Sequence, residues 1–324
     1  MAKPELVTVA VTAFNSAKTI VDTLDSVKEQ SYQQLELIIS DDASSDNSVE
    51  LAKKWLESPD NSRRFVDAKI ITVPHNTGVS ANCNRCIEAA QADWIKFIAG
   101  DDILMPNCIE DNMRFANKNP DARIIFSQVE VYVDNFQKEN FLRVIPAQFP
   151  DNLMHPEFSA NDQWKRLLVS DRLNYTPSYF FNRTALAQVG NYDESNRLVE
   201  DYPMWLKLTG AGERLYYFHT PTVGYRMHAK ALNNIGDAGL FKPLSVKAFA
   251  IRQQMAHPHL PTDIVGKEKW EQGVKKFFLA IGANRNTAIA RTFFRLLSVY
   301  LNPWQYAYAV KKRLPANKGN IFYQ

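Results

Sequence analysis

Apolar, β-branched runs alternate with amphipathic stretches over the first hundred residues, and this alternation narrows the fold more than any other feature of the chain. "LVTVAVTAF" (6–14), "LELIIS" (35–40), "AKIITV" (68–73) and "DWIKFIA" (93–99) have the composition of strands buried on both faces. Between them, "SAKTIVDTLDSVKEQ", "SVELAKKWLES" and "GVSANCNRCIEAAQ" space their apolar residues as helices do. Strands alternating with helices imply a mainly parallel sheet flanked by helices, an α/β architecture. In such sheets ligands bind beyond the carboxyl ends of the strands. Three polar segments fall there: "TAFN", "DDASSDNS" and "GDD".

What is missing narrows the ligand. The first strand is not followed by G-x-G-x-x-G, and the chain contains no G-x-x-x-x-G-K-[ST], which argues against a dinucleotide enzyme and a P-loop NTPase. A phosphorylated ligand therefore needs something other than a glycine-rich nest to offset its charge. Asp101 and Asp102 offer carboxylates to Mg²⁺ or Mn²⁺, hard cations that bridge to phosphate, although the same pair also suits a turn or a helix cap after Pro106. With 324 residues, 45% of them hydrophobic, the chain has a core large enough for one large domain or two. Cys83, Cys86 and Cys108 are too few for a disulfide framework and are expected as reduced packing residues of a cytosolic protein. "MAKPELVTVAV" lacks the pattern of a signal peptide, so no export is expected. The charge-free run 296–310 is short and contains Asn302, Pro303 and Gln305, so no spanning helix is expected.

A net charge of +3 hides an asymmetry. Residues 273–324 carry nine Lys or Arg and no acid, which leaves the preceding 272 residues at −6. Such a tail suggests an anionic partner. Phe293, Leu297, Tyr300 and Trp304 share one helical face up to the break that Pro303 imposes, while Phe277, Phe278 and Ile281 are expected to pack on the catalytic domain. The expectation is peripheral association with an anionic membrane through about 273–318, and no nucleic-acid role.

Taken in order, the motifs resemble inverting glycosyltransferase family 2, whose catalytic domain has the GT-A fold. The resemblance covers roughly 5–228. It rests on the opening "VTVAVTAFNSAKTIVDTLDSVKEQSYQQLELIISDDASSDNS", on "HNTGVSANCN", on "AGDDILMP" and on "VEDYPMWLKL". It implies that Thr12, Phe14 and Asp42 contact the nucleoside of a sugar nucleotide, Phe14 by stacking and Asp42 by accepting an imide N–H of uracil or thymine. Asp41 would orient the loop, and Asp46 would bond backbone N–H groups there. Asp102 would hold Mn²⁺ or Mg²⁺ and Asp101 the donor sugar or ribose. The family usually has an acid where this chain has Gly100. Arg226 would offset phosphate charge, and His228 would reach the metal or pyrophosphate. Asp201 matches the general base that takes the acceptor proton on the face opposite the leaving nucleotide.

The resemblance further implies a catalytic domain at 1–235, with a nucleotide-binding half to about 105 and an acceptor half from 106, followed by a helical, basic region at 236–324. Residues 140–182 would shape the acceptor site, with Arg172, Tyr175 and Tyr179 as candidates that suit a core equally well. The implied reaction moves a sugar, from a UDP-sugar by expectation, to a hydroxyl of a glycan or polyprenyl-diphosphate-linked acceptor. The setting would be bacterial surface polysaccharide synthesis, in the cytoplasm at the inner face of the plasma membrane. Two alternatives stand beside it. A sugar nucleotidyltransferase needs a glycine-rich loop, which "TAFNSAKT" lacks. An inactive sugar-nucleotide-binding relative would not need to keep Asp42, Asp101, Asp102 and Asp201.

Overall fold

The computed structural model describes residues 4–196, 199–227 and 239–323. They form two compact units: Met1–Gln163 with Arg172–His228, and Trp164–Asp171 with Ala229–Gln324.

The first unit opens with β1 (Val7–Ala13), α1 (Ile20–Lys28), β2 (Leu35–Asp41), α2 (Ser48–Glu57), the short α3 (Pro59–Ser62), β3 (Asp67–Thr72), α4 (Val79–Ala89) and β4 (Trp94–Ala99). These strands run parallel in the order β3-β2-β1-β4. Val7, Val9, Val11, Leu37 and Ile39 are all at most 1% exposed, which is why the strands read as continuous apolar runs and not as alternating ones. On α1 the i, i+4, i+7 series Ile20, Leu24 and Val27 is buried.

The unit continues with β5 (Ile103–Leu104), α5 (Cys108–Lys118), β6 (Ile124–Val133), β7 (Phe141–Ile145), α6 (Asp151–Met154), the start of α7 (Ala160–Val169), whose residues from Trp164 on belong to the second unit, β8 (Phe180–Asn182), α8 (Arg183–Gln188), α9 (Asp201–Gly210) and β9 (Leu215–Met227). β8 lies antiparallel between β4 and β6, and β6 pairs in parallel with β9, whose Pro221 sits at an irregularity in the ladder. β7 joins β6, and β5 joins β9, both antiparallel, which completes a mixed nine-stranded sheet. Ile103 sits opposite Gly224 of β9, where an added Cβ would come within 2.8 Å of Ile103 Cγ1. The residues just after "GDD" are seated on β9 by that close approach. α9 shows little helical periodicity because Tyr202, Met204, Trp205, Leu206 and Leu208 are all buried. Its Pro203 falls in the first turn, where a missing N–H goes unnoticed. Cys83, Cys86 and Cys108 are free and buried on α4 and α5.

The second unit holds α10 (Pro243–Met255), α11 (Thr262–Ala280), α12 (Ala288–Arg295), a π-helical turn at Leu296–Tyr300 and α13 (Pro303–Arg313). Arg252 donates to both oxygens of Glu268, at 2.6 and 2.9 Å, and to the Leu168 carbonyl at 2.9 Å. Asp263, 1% exposed, accepts from Lys311 at 2.6 Å and from the Tyr323 hydroxyl at 3.1 Å, which fastens the chain terminus to α11. The expectation that Phe277, Phe278 and Ile281 pack on the catalytic domain needs correction for two of the three. Only Phe278 is buried, against Phe293 and Phe294, while Phe277 and Ile281 are 46% and 54% exposed. The π-helical turn also changes the pitch within the expected stripe, so Leu297 is partly buried and its carbonyl accepts from Trp270 Nε1 at 2.8 Å. Among the described residues no helix is long and apolar enough to cross a membrane.

Candidate active site

The carboxyl ends of β1, β2 and β4 meet at one level, with Thr12 in register with Ser40 and Ala99. Backbone bonds carry this order beyond the strands: Asp42 N–H donates to Ala13 O at 3.0 Å, and Gly100 N–H to Thr12 O at 2.9 Å. Asp41 accepts the Ser44 amide at 2.8 Å, and the Asn15 side chain accepts the Ser45 amide at 2.9 Å. Asp46 accepts the amides of Ala17 at 3.1 Å and Ser48 at 3.0 Å. Burial alone would raise the Asp46 pKa, but these bonds and the Ser48 hydroxyl hold it below the usual carboxylate value. The loops bend through Asn15 and Ala43 at φ 53° and 62°. Asn tolerates that region, whereas Ala is strained there. Ala43→Gly is expected to raise stability by about 0.5–1 kcal/mol, the αL penalty less the entropy of glycine, as read by denaturant unfolding. A loss of stability would mean that the Ala43 methyl makes a packing contribution larger than the strain.

Phe14 is 50% exposed, so its ring is open to a ligand and is not a core aromatic. Asp42 differs, being 3% exposed. Its carboxylate accepts the Thr77 amide at 3.0 Å and hydroxyl at 2.6 Å, the Gly78 amide at 2.7 Å and Arg85 Nη2 at 2.9 Å. Burial works to raise its pKa, and these donors overcome that and lower it. Asp42 is thereby bound to the start of α4, where Gly78 turns at φ 97°.

Asp102 is 2% exposed, and its Oδ1 accepts the Arg226 amide at 2.8 Å. Its Oδ2 accepts no hydrogen bond from the described residues. Burial and the neighbouring Asp101 charge push the Asp102 carboxyl well above its ordinary pKa, against the pull of Arg226 and Lys96. The Thr19 hydroxyl donates to Gly100 O and that of Thr23 to Asp102 O, each at 2.7 Å, so α1 holds this loop from behind. A Cβ at Gly100 would come within 3.0 Å of Ser16 Oγ and 3.2 Å of Ile20 Cδ1, which gives a steric reason for glycine here. Among the described residues no three His, Cys, Asp or Glu side chains converge as a metal cage. The Asp102 and Asp101 oxygens still fit a hard cation whose other ligands come from phosphate and water.

Arg226 was expected to face phosphate. The structure ties it to the protein instead: Nε donates to Asp101 O, Nη1 to Asp134 O and Nη2 to Asp22 Oδ2, each at 2.8 Å, with the guanidinium 4.4 Å from the Phe136 ring centre. It is a buried strut between β9, α1 and the "GDD" loop. His228 lies outside the described residues.

Glu200 and Asp201 open α9, where Asp201 Oδ1 accepts the Tyr202 amide at 2.7 Å. Burial raises the Asp201 pKa, and bonds from the Tyr202 amide and the Thr176 hydroxyl hold it partly back. Burial and the Asp201 charge push Glu200 up to about 7. The pair therefore titrates as a unit above the usual carboxylate range. Of the acceptor-site candidates, Tyr175 is core, 1% exposed against Phe126 and Tyr217. Tyr179 is partly buried between Phe97, Phe181 and Trp205, with its hydroxyl bonded to Tyr192. Arg172 is partly buried.

The family model described as "Glycosyl transferase family 2" matches residues 8–185, more than half of the chain and all of the loops just described except the Glu200–Asp201 pair. The chain belongs to glycosyl transferase family 2. Curated relatives of this glycosyltransferase include the UDP-Glc:alpha-D-GlcNAc-diphosphoundecaprenol beta-1,3-glucosyltransferase WfaP of Escherichia coli, 23% identical over 75% of this chain and 88% of that one. The amylovoran biosynthesis glycosyltransferase AmsB of Erwinia amylovora is 27% identical over 68% of this chain and 69% of its own. EpsE of Bacillus subtilis, 27% identical, aligns over 44% of this chain, which spans about half (48%) of that relative's length. Two solved structures share the fold. S. aureus TarS 1–349 in complex with UDP-GlcNAc has a TM-score of 0.59 at 13% identity, covering 98% of this chain and 89% of that one. The mannosyltransferase PcManGT of Pyrobaculum calidifontis, in complex with GDP-Man and Mn²⁺, has a TM-score of 0.53 at 15% identity, covering 98% and 79%. The glycosyltransferase therefore has the GT-A fold. Family membership sets aside the nucleotidyltransferase alternative.

Three residues that fasten the site were not singled out from the sequence: Thr77, Arg85 and Lys96. Thr77 lies in "HNTGVSANCN", and its Asn-Thr-Gly before a helix is a loop signal. Arg85 and Lys96 sit inside a helix and a strand and carry no local signal.

Proposed function

We propose that this glycosyltransferase moves a sugar, with inversion, from a nucleoside diphosphate sugar bound with Mn²⁺ or Mg²⁺ to a hydroxyl of a lipid-linked glycan, in the synthesis of a bacterial polysaccharide. The observation that carries this reading is the open Oδ2 of Asp102, beside Asp101, in the same cluster of loops as the exposed Phe14 ring. Thr12 and Phe14 receive the nucleoside, and Asp42 shapes that pocket through Thr77, Gly78 and Arg85. Asp101 holds the ribose or donor sugar. A divalent cation on Asp102 supplies positive charge to the leaving diphosphate. Asp201 takes the acceptor proton as the acceptor oxygen bonds to the anomeric carbon and the bond from that carbon to the diphosphate breaks. A uridine donor is supported by the UDP-Glc of the Escherichia coli relative and the UDP-GlcNAc bound by S. aureus TarS, and a diphosphopolyprenol acceptor by the former. The test is thermal stabilisation by a panel of UDP-, dTDP- and GDP-sugars with Mn²⁺, since a ligand that binds only the native state raises its stability. UDP-sugars are expected to raise the midpoint, and no shift from any of the panel would remove the reading.

The basic tail supports a site of action at an anionic membrane surface on the cytoplasmic side. Ile289, Tyr300, Leu301, Tyr306 and Val310 are each more than half exposed in a segment with nine cations and no acid. Each Lys or Arg near anionic lipid contributes about 1 kcal/mol, while Tyr and Trp settle at the headgroups. Co-sedimentation is expected with anionic vesicles at low salt and not with neutral ones. Equal partitioning to both, or to neither, would leave the tail as ordinary surface.

A further inference from the structure

We infer that Arg226 is a positioning residue for the divalent cation: its side chain fixes the peptide that joins Asp101 to Asp102, and its backbone amide decides which oxygen of Asp102 is left for the ion. The inference rests on the reading of Asp102 as the ion's ligand.

Asp101 and Asp102 share one peptide unit, and that unit is held at both ends. Its carbonyl, Asp101 O, accepts Arg226 Nε at 2.8 Å, and its N–H, that of Asp102, donates to Ala99 O at 3.1 Å. The carbonyls on either side, of Gly100 and Asp102, accept the Thr19 and Thr23 hydroxyls at 2.7 Å each. Arg226 thus holds the middle carbonyl of three, and a peptide plane fixed at both ends sets the direction in which the two carboxylates leave the chain. The Arg226 amide adds a second restraint by donating to Asp102 Oδ1 at 2.8 Å, so the oxygen left for a cation is Oδ2.

The guanidinium has a poor claim to a place in the core for stability alone. Arg226 is 5% exposed, while Asp22, which accepts its Nη2, has a side chain 55% exposed, and its other partners are two carbonyls and a ring. What the planar fork provides is reach in three fixed directions: Nε to the "GDD" loop, Nη1 to Asp134 O just after β6, and Nη2 to α1. Its plane is backed by Phe136, whose Cε1 would lie 3.1 Å from a Cβ at Gly224, two residues earlier on β9. A lysine ammonium keeps the charge and loses the fork. The charge itself works against the ion, since like charges repel. Removing the guanidinium therefore has opposite effects on the two accounts: Mn²⁺ binding weakens if Arg226 positions the carboxylates, and strengthens if only its charge is felt.

The experiment is a Mn²⁺ titration of the full chain, followed by the EPR signal of the free ion, with UDP and without it. Arg226→Met and Arg226→Lys are each expected to weaken Mn²⁺ binding by about 10–100-fold, the usual cost of removing a group that orients a metal ligand. Thermal unfolding shows that each variant is folded during the titration; a role in the core alone would lower the melting point and leave the ion affinity of the folded protein as it was. Equal or tighter Mn²⁺ binding by Arg226→Met, or wild-type affinity in Arg226→Lys, would overturn the proposal. So would a loss confined to the titration with UDP in variants that bind Mn²⁺ alone as the wild type does, because that pattern belongs to a phosphate ligand. Where Arg226→Met does not fold, Arg226→Lys decides. Asp102→Ala separates the proposal from the reading beneath it. If Asp102→Ala binds Mn²⁺ as the wild type does, or the wild type binds none with UDP or without, the ion reading falls and the proposal with it. If Asp102→Ala loses the ion while both Arg226 variants keep it, the positioning alone is overturned.

Discussion

Asp201→Asn is expected to lose sugar transfer by about 10²–10⁴-fold, the usual contribution of a positioned base, while binding donor as the wild type does. The amide preserves the shape at the head of α9 and can still accept the Tyr202 amide through its oxygen, but it cannot take a proton. Unfolding is separable from lost chemistry through the sign of the pH effect. Glu200 titrates at about 7 when folded, above its ordinary value of 4.5, so the folded state binds the extra proton and stability is lost as pH rises through that window. Removing the Asp201 charge relieves this repulsion. The variant should therefore melt no lower than wild type at pH 8 and match it near pH 4. Transfer by the wild type should in turn fall as pH drops through the titration of the pair. The measurements are kcat/KM and donor-induced thermal shift side by side; wild-type turnover in the variant would move the base elsewhere, to Glu200 first.

The nucleotide half of the fold was legible because its signals are local. β1 to β4 announce themselves as apolar runs, and "TAFN", "DDASSDNS" and "GDD" fall directly after strands, so their convergence follows from parallel-sheet geometry. The remainder depends on contacts between distant residues. The resemblance implies Arg226 as a group that offsets phosphate charge, and nothing local points to its partner Asp22, which lies 204 residues earlier. Lys96 carries no local signal inside its strand, because its carbonyl partners lie 81 and 83 residues on. Asp42 reads as an open carboxylate until Thr77 and Gly78, 35 and 36 residues later, fill its oxygens. In the tail, counting at 3.6 residues per turn assumes one unbroken helix. The π-helical turn at Leu296–Tyr300 changes that count, which is why Leu297 leaves the exposed stripe.

Asp102→Ala is expected to reduce transfer at least as far, roughly 10³-fold or more, since a Lewis acid on a leaving phosphate contributes several kcal/mol. The argument is one of charge. On the proposed reading Asp101 and Asp102 face the donor's diphosphate with like sign, and two cations near this loop among the described residues are already committed: Arg226 to Asp22 and two carbonyls, Lys96 to two carbonyls of the Thr176–Tyr179 segment. Neither has a free path to offset the diphosphate. Gly100 gives the loop no third carboxylate, so on the proposed reading the removal of Asp102 leaves Asp101 as the one carboxylate of the motif to hold an ion. Among the described residues the Asp102 side chain accepts only the Arg226 amide, and the loop is also held through the carbonyls of Gly100, Asp101 and Asp102, which the substitution leaves in place. The variant should consequently fold, and the stabilisation by UDP-sugar with Mn²⁺ should vanish along with transfer. EDTA on the wild type should mimic the substitution, with recovery on adding Mn²⁺ or Mg²⁺. Transfer that continues unchanged in EDTA would show that the diphosphate is offset by protein groups alone, and the role of "GDD" would then be to shape the loop through Arg226 and not to hold an ion.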